Sequence, residues 1–241
     1  MQIKYYYINL DRSPERRAYM ERQFDLMNIN PVRVPAVDGY KLSVKECQEI
    51  SNKQTLLTHF MKPKLGEIGA FLSYKLTWKM IAEQSEDFAV VIEDDIAIKP
   101  ELLEDLSIIL EKISPDEIVD ISGRQGFIKM ESRTASNDVE LIRFSTPPLG
   151  TTGKIFGREA ATFIYNSFTD YLAPHDVMLQ KIYKHKIPIW SVNKHYLSHV
   201  DQEVGGTTLQ MSDISLKGKV WREFKRPFWR LAIKIGNLLR T

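Results

Sequence analysis

One cysteine, Cys47, is all the 241-residue chain contains, so an internal disulfide and a cysteine-based zinc site are both excluded. A reducing compartment is the expectation that follows. No apolar run reaches the roughly 18 residues of a membrane-spanning helix. The opening MQIKYYYINL lacks a small-residue cleavage site and reads as a first strand rather than a secretory leader. A Gly-x-x-x-x-Gly-Lys-Ser/Thr loop is also missing, which argues against a phosphotransferase with a triphosphate cradle. Internal repeats, low-complexity tracts and Gly/Ser linkers are absent as well, so one large domain is expected.

What is present has globular proportions: 43% hydrophobic and 27% charged residues suffice for a core that stands without staples. The net charge of +2 conceals an asymmetry. Residues 217–241 carry eight Lys or Arg against Glu223 alone, a balance of +7, which leaves −5 for residues 1–216. The expected division is a main domain over residues 1–216 and a basic tail over 217–241.

Strand and helix signals alternate along the chain. Residues 3–8 read as a strand, and Ser13-Pro14-Glu15 reads as a helix start, with Ser as cap and Pro at the first turn. Pro31 to Val37 suggests a second strand. Ile68, Leu72, Leu76 and Met80 recur in steps of four and predict a helix over residues 66–83. Phe88-Ala-Val-Val-Ile92 is continuously apolar, the pattern of a strand covered on both faces. Ile118 to Ile121, Lys154 to Phe156 and Ile187 to Val192 read as further strands. Helices are expected from Arg158 to Phe168 and from Pro174, and the polar stretch from Gly123 to Val139 reads as a long mobile loop. The fold class is therefore α/β, a mainly parallel central sheet flanked by helices.

Glu93, Asp94 and Asp95 end the apolar strand, and crowding three carboxylates there is costly unless a cation or donors compensate them. Ligands in open α/β sheets sit beyond the carboxyl ends of strands. Hard oxygen ligands suit Mg²⁺ or Mn²⁺, with a substrate pyrophosphate completing the shell. A solvated acidic loop without function would show the same residues.

Four ordered stretches carry a resemblance: Tyr7-Ile-Asn-Leu-Asp-Arg-Ser-Pro-Glu-Arg-Arg17, Gly66-Glu-Ile-Gly-Ala-Phe-Leu-Ser73, Val91-Ile-Glu-Asp-Asp95 and Gly150-Thr-Thr-Gly153. Together they resemble glycosyltransferase family 25, the lipopolysaccharide-biosynthesis galactosyltransferases related to the collagen galactosyltransferases. The resemblance implies a GT-A-like fold, a UDP-sugar donor, a divalent metal (Mn²⁺ or Mg²⁺) and inversion at the anomeric carbon. It implies metal ligation by Asp95, with Glu93 or Asp94 on the donor's ribose or sugar. Asp176, in Pro174-His-Asp-Val-Met-Leu, would be the catalytic base, with His175 as a competing candidate; an Asp in a first helical turn also stabilises the helix by itself.

The same resemblance puts Asn9 and Asp11 on uracil or ribose and Arg12 or Arg16 near phosphate. Glu67 and Ser73 fall in the helix beneath the donor, and Gly150, Thr151, Thr152 and Gly153 allow close approach of a sugar. The chain departs from the family at Tyr74, where histidine is common, and at Ala70. A late histidine, His199, is the expected further metal ligand, with Asp201 or neither as alternatives.

Trp221, Phe224, Phe228, Leu231, Ile235 and Leu238 recur in steps of three and four among Lys and Arg, an amphipathic basic helix expected to break or kink near Pro227. Such a helix suits an anionic membrane surface, and core docking or dimerisation is the alternative. Nucleic acid is not an expected partner, because the remainder of the chain is acidic. The expected activity is transfer of a hexose, galactose by resemblance, to a lipid-anchored lipooligosaccharide acceptor at the inner face of the cytoplasmic membrane. A non-catalytic glycan- or membrane-binding protein of the same fold is the rival.

Overall fold

The computed structural model describes residues 3–51, 63–200 and 216–239. The first half runs β1 (Lys4–Asn9), α1 (Pro14–Leu26), β2 (Val32–Pro35), a 3-10 turn (Gly39–Lys41), α2 (Val44–Ile50), α3 (Leu65–Ala82), β3 (Phe88–Glu93), β4 (Ile96–Ile98) and α4 (Glu101–Leu110). The second runs β5 (Ile118–Asp120), β6 (Phe127–Thr134), β7 (Glu140–Thr146), β8 (Gly153–Gly157), α5 (Arg158–Ser167), α6 (His175–Gln180), α7 (Ile182–His185), β9 (Ile189–Val192), β10 (Leu197–His199) and α8 (Leu216–Leu238).

The apolar run of β3 divides the core in two. Ala89 and Val91 join a cluster with Ile68, Phe71 and Trp78, while Phe88, Val90 and Ile92 join one with Met20, Phe24 and Leu106. Successive strand side chains alternate faces, so one run feeds both hydrophobic layers. Helices α3 and α5 cover the first face; α1 and α4 cover the second. Trp78 and Phe24 are fully buried. Truncating either to Ala would cost about 3–5 kcal/mol.

Strand order in the main sheet is β2-β1-β3-β8-β5-β9-β7-β6, with β4 and β10 forming a separate antiparallel pair. Six of the eight strands point the same way, β8 and β7 being reversed. The α/β class holds, and the reversed β8 lies at its centre. Glu93 at the end of β3 therefore meets the chain entering β8, since the Glu93 amide donates to the Thr152 carbonyl.

Three local expectations differ from the structure. Residues 123–139 are not a loop throughout, because β6 pairs with β7 there. As the outermost strand it is exposed along most of its length, so it shows no apolar alternation. Ser13 precedes α1, but its side chain makes no capping hydrogen bond, and Asn9 Nδ2 instead donates to the Ser13 carbonyl. Helix α8 runs through Pro227 without the break that was one of the two expectations there.

The last turns of α8 dock on the domain. Ile233 and Asn237 are buried, and Asn237 Nδ2 donates to Thr146 Oγ1 (3.0 Å) and the Gln180 carbonyl (2.9 Å). The boundary at residue 216 thus separates a helix whose end is part of the domain wall. On its opposite face Phe228, Leu231, Ile235 and Leu238 are all exposed. Asp201 and the side chains of Trp221 and Phe224 lie outside the described residues.

Candidate active site

A cleft lies beyond the carboxyl ends of β1 and β3. Leu10, Arg12, Asp38, Tyr40, Ser73 and Tyr74 line it, and Glu93, Asp94 and Asp95 close one end. Its wall depends on close backbone packing between α3 and the chain after β2. A β-carbon at Gly69 would stand 2.6 Å from the Val37 carbonyl oxygen, so only glycine lets α3 approach. Ser73 Oγ fixes the same contact, accepting from the Val37 amide at 2.8 Å and donating to the Gly69 carbonyl at 2.7 Å.

The carboxylates are compensated from within the chain. Arg16, reaching from α1, is buried and donates to Asp94 Oδ1 (2.8 Å) and Asp95 Oδ2 (3.2 Å). Asn9 Nδ2 donates to the other Asp94 oxygen at 2.7 Å. Burial pushes the Asp94 carboxyl above its ordinary range, and Asn9 and Arg16 oppose that rise. Asn9 is itself held by Arg33, which donates to its side-chain oxygen at 3.0 Å.

Asp95 differs from Asp94. Its Oδ1 is buried and has no hydrogen-bond partner among the described residues. An unpaired buried carboxylate oxygen is costly without a cation or donor to face it. That atom fits a divalent ion, but no group of three His, Cys, Asp or Glu side chains assembles a metal site among the described residues. Mg²⁺ and Mn²⁺ sites built from one or two carboxylates plus substrate phosphate oxygens need no such group.

Glu93 is compensated by neutral donors. Thr151 Oγ1 donates to Glu93 Oε1 at 2.7 Å, and the Tyr74 hydroxyl reaches both that oxygen (3.2 Å) and the Thr151 carbonyl (2.8 Å). Burial raises the Glu93 carboxyl, as do the nearby charges of Asp95 and Asp176. Behind Thr151 sits His175, stacked on Tyr74 at 4.0 Å between ring centroids, with Nε2 2.9 Å from Thr151 Oγ1. Because that hydroxyl already donates to Glu93, the ring supplies Nε2–H. Burial lowers the His175 pKa to about 4, so it is neutral at pH 7. In that state it supports Thr151.

Asp176 follows directly, half-buried, accepting from the Val177 amide at 2.8 Å. Its charge acts on Glu93 and Tyr74, which places it beside this cluster. The segment feeding the cluster turns at Gly150, whose φ of +107° suits glycine. Arg124 holds the turn, donating to the Leu149 carbonyl (3.0 Å) and Thr152 Oγ1 (3.0 Å). Gly153 begins β8, where Leu197 packs against it.

Four expected positions lie apart from the role given them. Asp11 is exposed and ion-paired with Arg33. Asn9 is buried behind Asp94, where a ligand cannot reach it. Glu67 accepts from the Lys64 amide at the start of α3 and from the Tyr171 hydroxyl, and its carboxylate does not line the cleft. His199 lies with Arg124, its Nε2 3.0 Å from the guanidinium, so that nitrogen is engaged within the chain. Arg12 does line the cleft, paired with Asp38 at 2.9 Å. Sequence reasoning missed Arg124, Asp38 and Tyr40. It flagged Tyr74 only as a departure, although that hydroxyl holds Glu93.

Residues 2–179 match the family profile described as glycosyltransferase family 25 (LPS biosynthesis protein). A "Glycosyltransferase 25 family member" of Aedes aegypti is 37% identical over 101 residues, covering 39% of this chain and 16% of that protein. "Procollagen galactosyltransferase 2" of Homo sapiens is 26% identical over 203 residues, 79% of this chain and 32% of the relative. The matched stretches thus span between a sixth and a third of these relatives. A crystal structure of a glycosyltransferase involved in glycosylation of the major capsid of PBCV-1 aligns over 96% of this chain and all of that one, at 9% identity and a TM-score of 0.42.

Proposed function

From the premise that the chain belongs to glycosyltransferase family 25, and is on that ground a glycosyltransferase, we propose that it moves a hexose from a UDP-sugar to a lipid-anchored oligosaccharide with inversion. Galactose is the proposed sugar, by analogy with the name of the human relative. A lipopolysaccharide-type acceptor follows the description of the family. The observation that carries the reading is the cleft closed by Glu93, Asp94 and Asp95, with one Asp95 oxygen buried and unpaired.

In this mechanism the diphosphate enters past Arg12, whose guanidinium is half-exposed at the cleft and suited to phosphate. Asp95 Oδ1 would hold Mn²⁺ or Mg²⁺, which when bound supplies charge neutralisation for the departing UDP. Arg16 and Asn9 fix Asp94 and so the backbone of the turn. Thr151 and Tyr74 orient Glu93 toward the donor sugar. Asp176 accepts the proton of the acceptor hydroxyl as its oxygen bonds the anomeric carbon and the bond to UDP breaks.

Peripheral attachment to an anionic, cytoplasm-facing membrane surface is the proposed location. No helix among the described residues is long and apolar enough to cross a membrane. The support is α8, whose docked face leaves Phe228 (63% exposed), Leu231 (53%), Ile235 (46%) and Leu238 (42%) in one stripe beside Lys and Arg. Replacing Leu231 and Ile235 with Glu should release the protein from phosphatidylglycerol vesicles in a flotation assay, and unchanged flotation would remove the membrane role.

The activity is tested by UDP release from a panel of UDP-sugars, with Mn²⁺ and with EDTA, using the unaltered protein and Asp95→Ala. Metal-dependent release from one sugar, lost in the variant while UDP still binds, is expected. Equal release with EDTA would overturn the metal assignment, and absence of both release and UDP binding would overturn the enzymatic reading.

A further inference from the structure

A second cleft lies between α8 and the chain leaving β7. Phe127, Pro147, Leu149, Gln180, Arg230 and Lys234 are among the residues that line it. Among the described residues its lining has two cations and no carboxylate. The Lys234 ammonium stands 3.8 Å from the centre of the Phe127 ring. The base of the cleft is held in place, since Gln180 Nε2 donates to the Pro147 carbonyl at 2.7 Å and Asn237 ties Thr146 to Gln180.

Its position matters as much as its lining. Residues 147–149 lead directly into Gly150 and Thr151, whose hydroxyl holds Glu93. Gln180 closes α6, the helix that starts with His175 and Asp176. Four residues of helix rise separate Gln180 from Asp176, roughly 6 Å. A saccharide in this cleft would lie against the segment that leads into Thr151 and against the end of the helix that carries Asp176.

Apolar and aromatic surface beside paired cations suits a sugar ring that carries an anion. The ring's carbon face can lie on Phe127 and proline, while a guanidinium binds a carboxylate or phosphate through two donors. We propose that this cleft is an acceptor subsite for an anionic sugar, its carboxylate or phosphate held between Arg230 and Lys234 and its ring against Phe127, Pro147 and Leu149. The assignment rests on the glycosyl-transfer reading for its role, but its binding can be measured separately. Helix α8 then has two tasks, one face toward the acceptor and the opposite one toward the surface that bears it.

The test is an amide-resolved NMR titration of the full chain with glucose 6-phosphate, glucose and inorganic phosphate, followed by UDP. Glucose 6-phosphate should shift Phe127, Leu149 and Gln180 saturably and bind at least tenfold more tightly than glucose, as expected for charge-assisted contacts. It should also bind more tightly than inorganic phosphate. The double variant Arg230→Gln with Lys234→Gln should lose about tenfold in that affinity while UDP shifts around Tyr40 and Asp95 persist, which also shows that the fold is intact. Phe127→Leu should weaken glucose 6-phosphate more than inorganic phosphate, since the ring carries the sugar contact as well as Lys234.

Equal binding of glucose and glucose 6-phosphate, or an unaffected double variant, would overturn the subsite. Inorganic phosphate binding as tightly as the sugar phosphate would reduce it to a bare anion site. A response to phosphatidylglycerol vesicles without one to glucose 6-phosphate would make it a lipid headgroup clamp and overturn it too. Failure of UDP to bind would count against the transfer reading alone.

Discussion

Glu93 and Asp94 are adjacent in the chain and burial raises both carboxyls, yet the two sides of the turn answer that cost by different means. On the Asp94 side a buried guanidinium and an amide take up both oxygens, so charge meets charge. On the Glu93 side the partners are two hydroxyls backed by a neutral imidazole. A cation fixes a carboxylate as a charged structural element. Neutral donors hold one in place while leaving its charge available to a ligand. The comparison leaves Asp94 with both oxygens taken up within the chain, Glu93 held by neutral donors, and Asp95 with one oxygen on Arg16 and the other unpaired among the described residues.

The largest effect should come from the Glu93 side, at its charged neighbour. Asp176→Asn is expected to lower transfer by 10²–10⁴-fold, the usual contribution of a general base, with UDP affinity and thermal stability unchanged. Undiminished transfer would return Asp176 to a helix-start role. On the Asp94 side the loss should appear in stability instead. Arg16→Ala leaves two carboxylates facing one another, at a cost of about 3–5 kcal/mol in denaturant unfolding. A loss below 1 kcal/mol would mean that water or a bound cation replaces the guanidinium.

The smallest effect concerns pH. His175 has its pKa lowered to about 4 in the folded chain, against 6.5 ordinarily. Above 6.5 it is neutral in both folded and unfolded states and contributes no pH dependence. As pH falls from 6.5 toward 4 the unfolded state takes up the proton first, so stability declines over that window, by up to about 3 kcal/mol for this one group. His175→Asn should flatten that part of the profile. An unchanged profile would show that other groups set it.

Legibility followed the range of the interaction. The run Phe88 to Ile92 announced a doubly covered strand because its partners on both faces need only be apolar. The heptad-like spacing of Phe228, Leu231, Ile235 and Leu238 announced one face of α8, and those residues are indeed exposed together. Edge strand β6 was illegible, since a strand wet along most of its length shows no alternation to read. Glu67 illustrates a different failure. Its motif placed it at the start of a helix, while its carboxylate is shared between the Lys64 amide and the Tyr171 hydroxyl, 104 residues away.

The sequence by itself determined an α/β domain with carboxylates ending a buried strand, a family kinship carried by four ordered motifs, and a basic helix with an apolar stripe. The tertiary structure decided which carboxylates face a guanidinium, Asp94 and Asp95 at Arg16 from 78 and 79 residues away, and which is held by Thr151, 58 residues on. It also turned His199 Nε2 toward Arg124, 75 residues earlier. Local periodicity records only whether a side chain meets apolar surroundings or water. The identity of a polar partner depends on strand order, here on reversed β8 inserted beside β3, and no spacing along the chain encodes that neighbourhood.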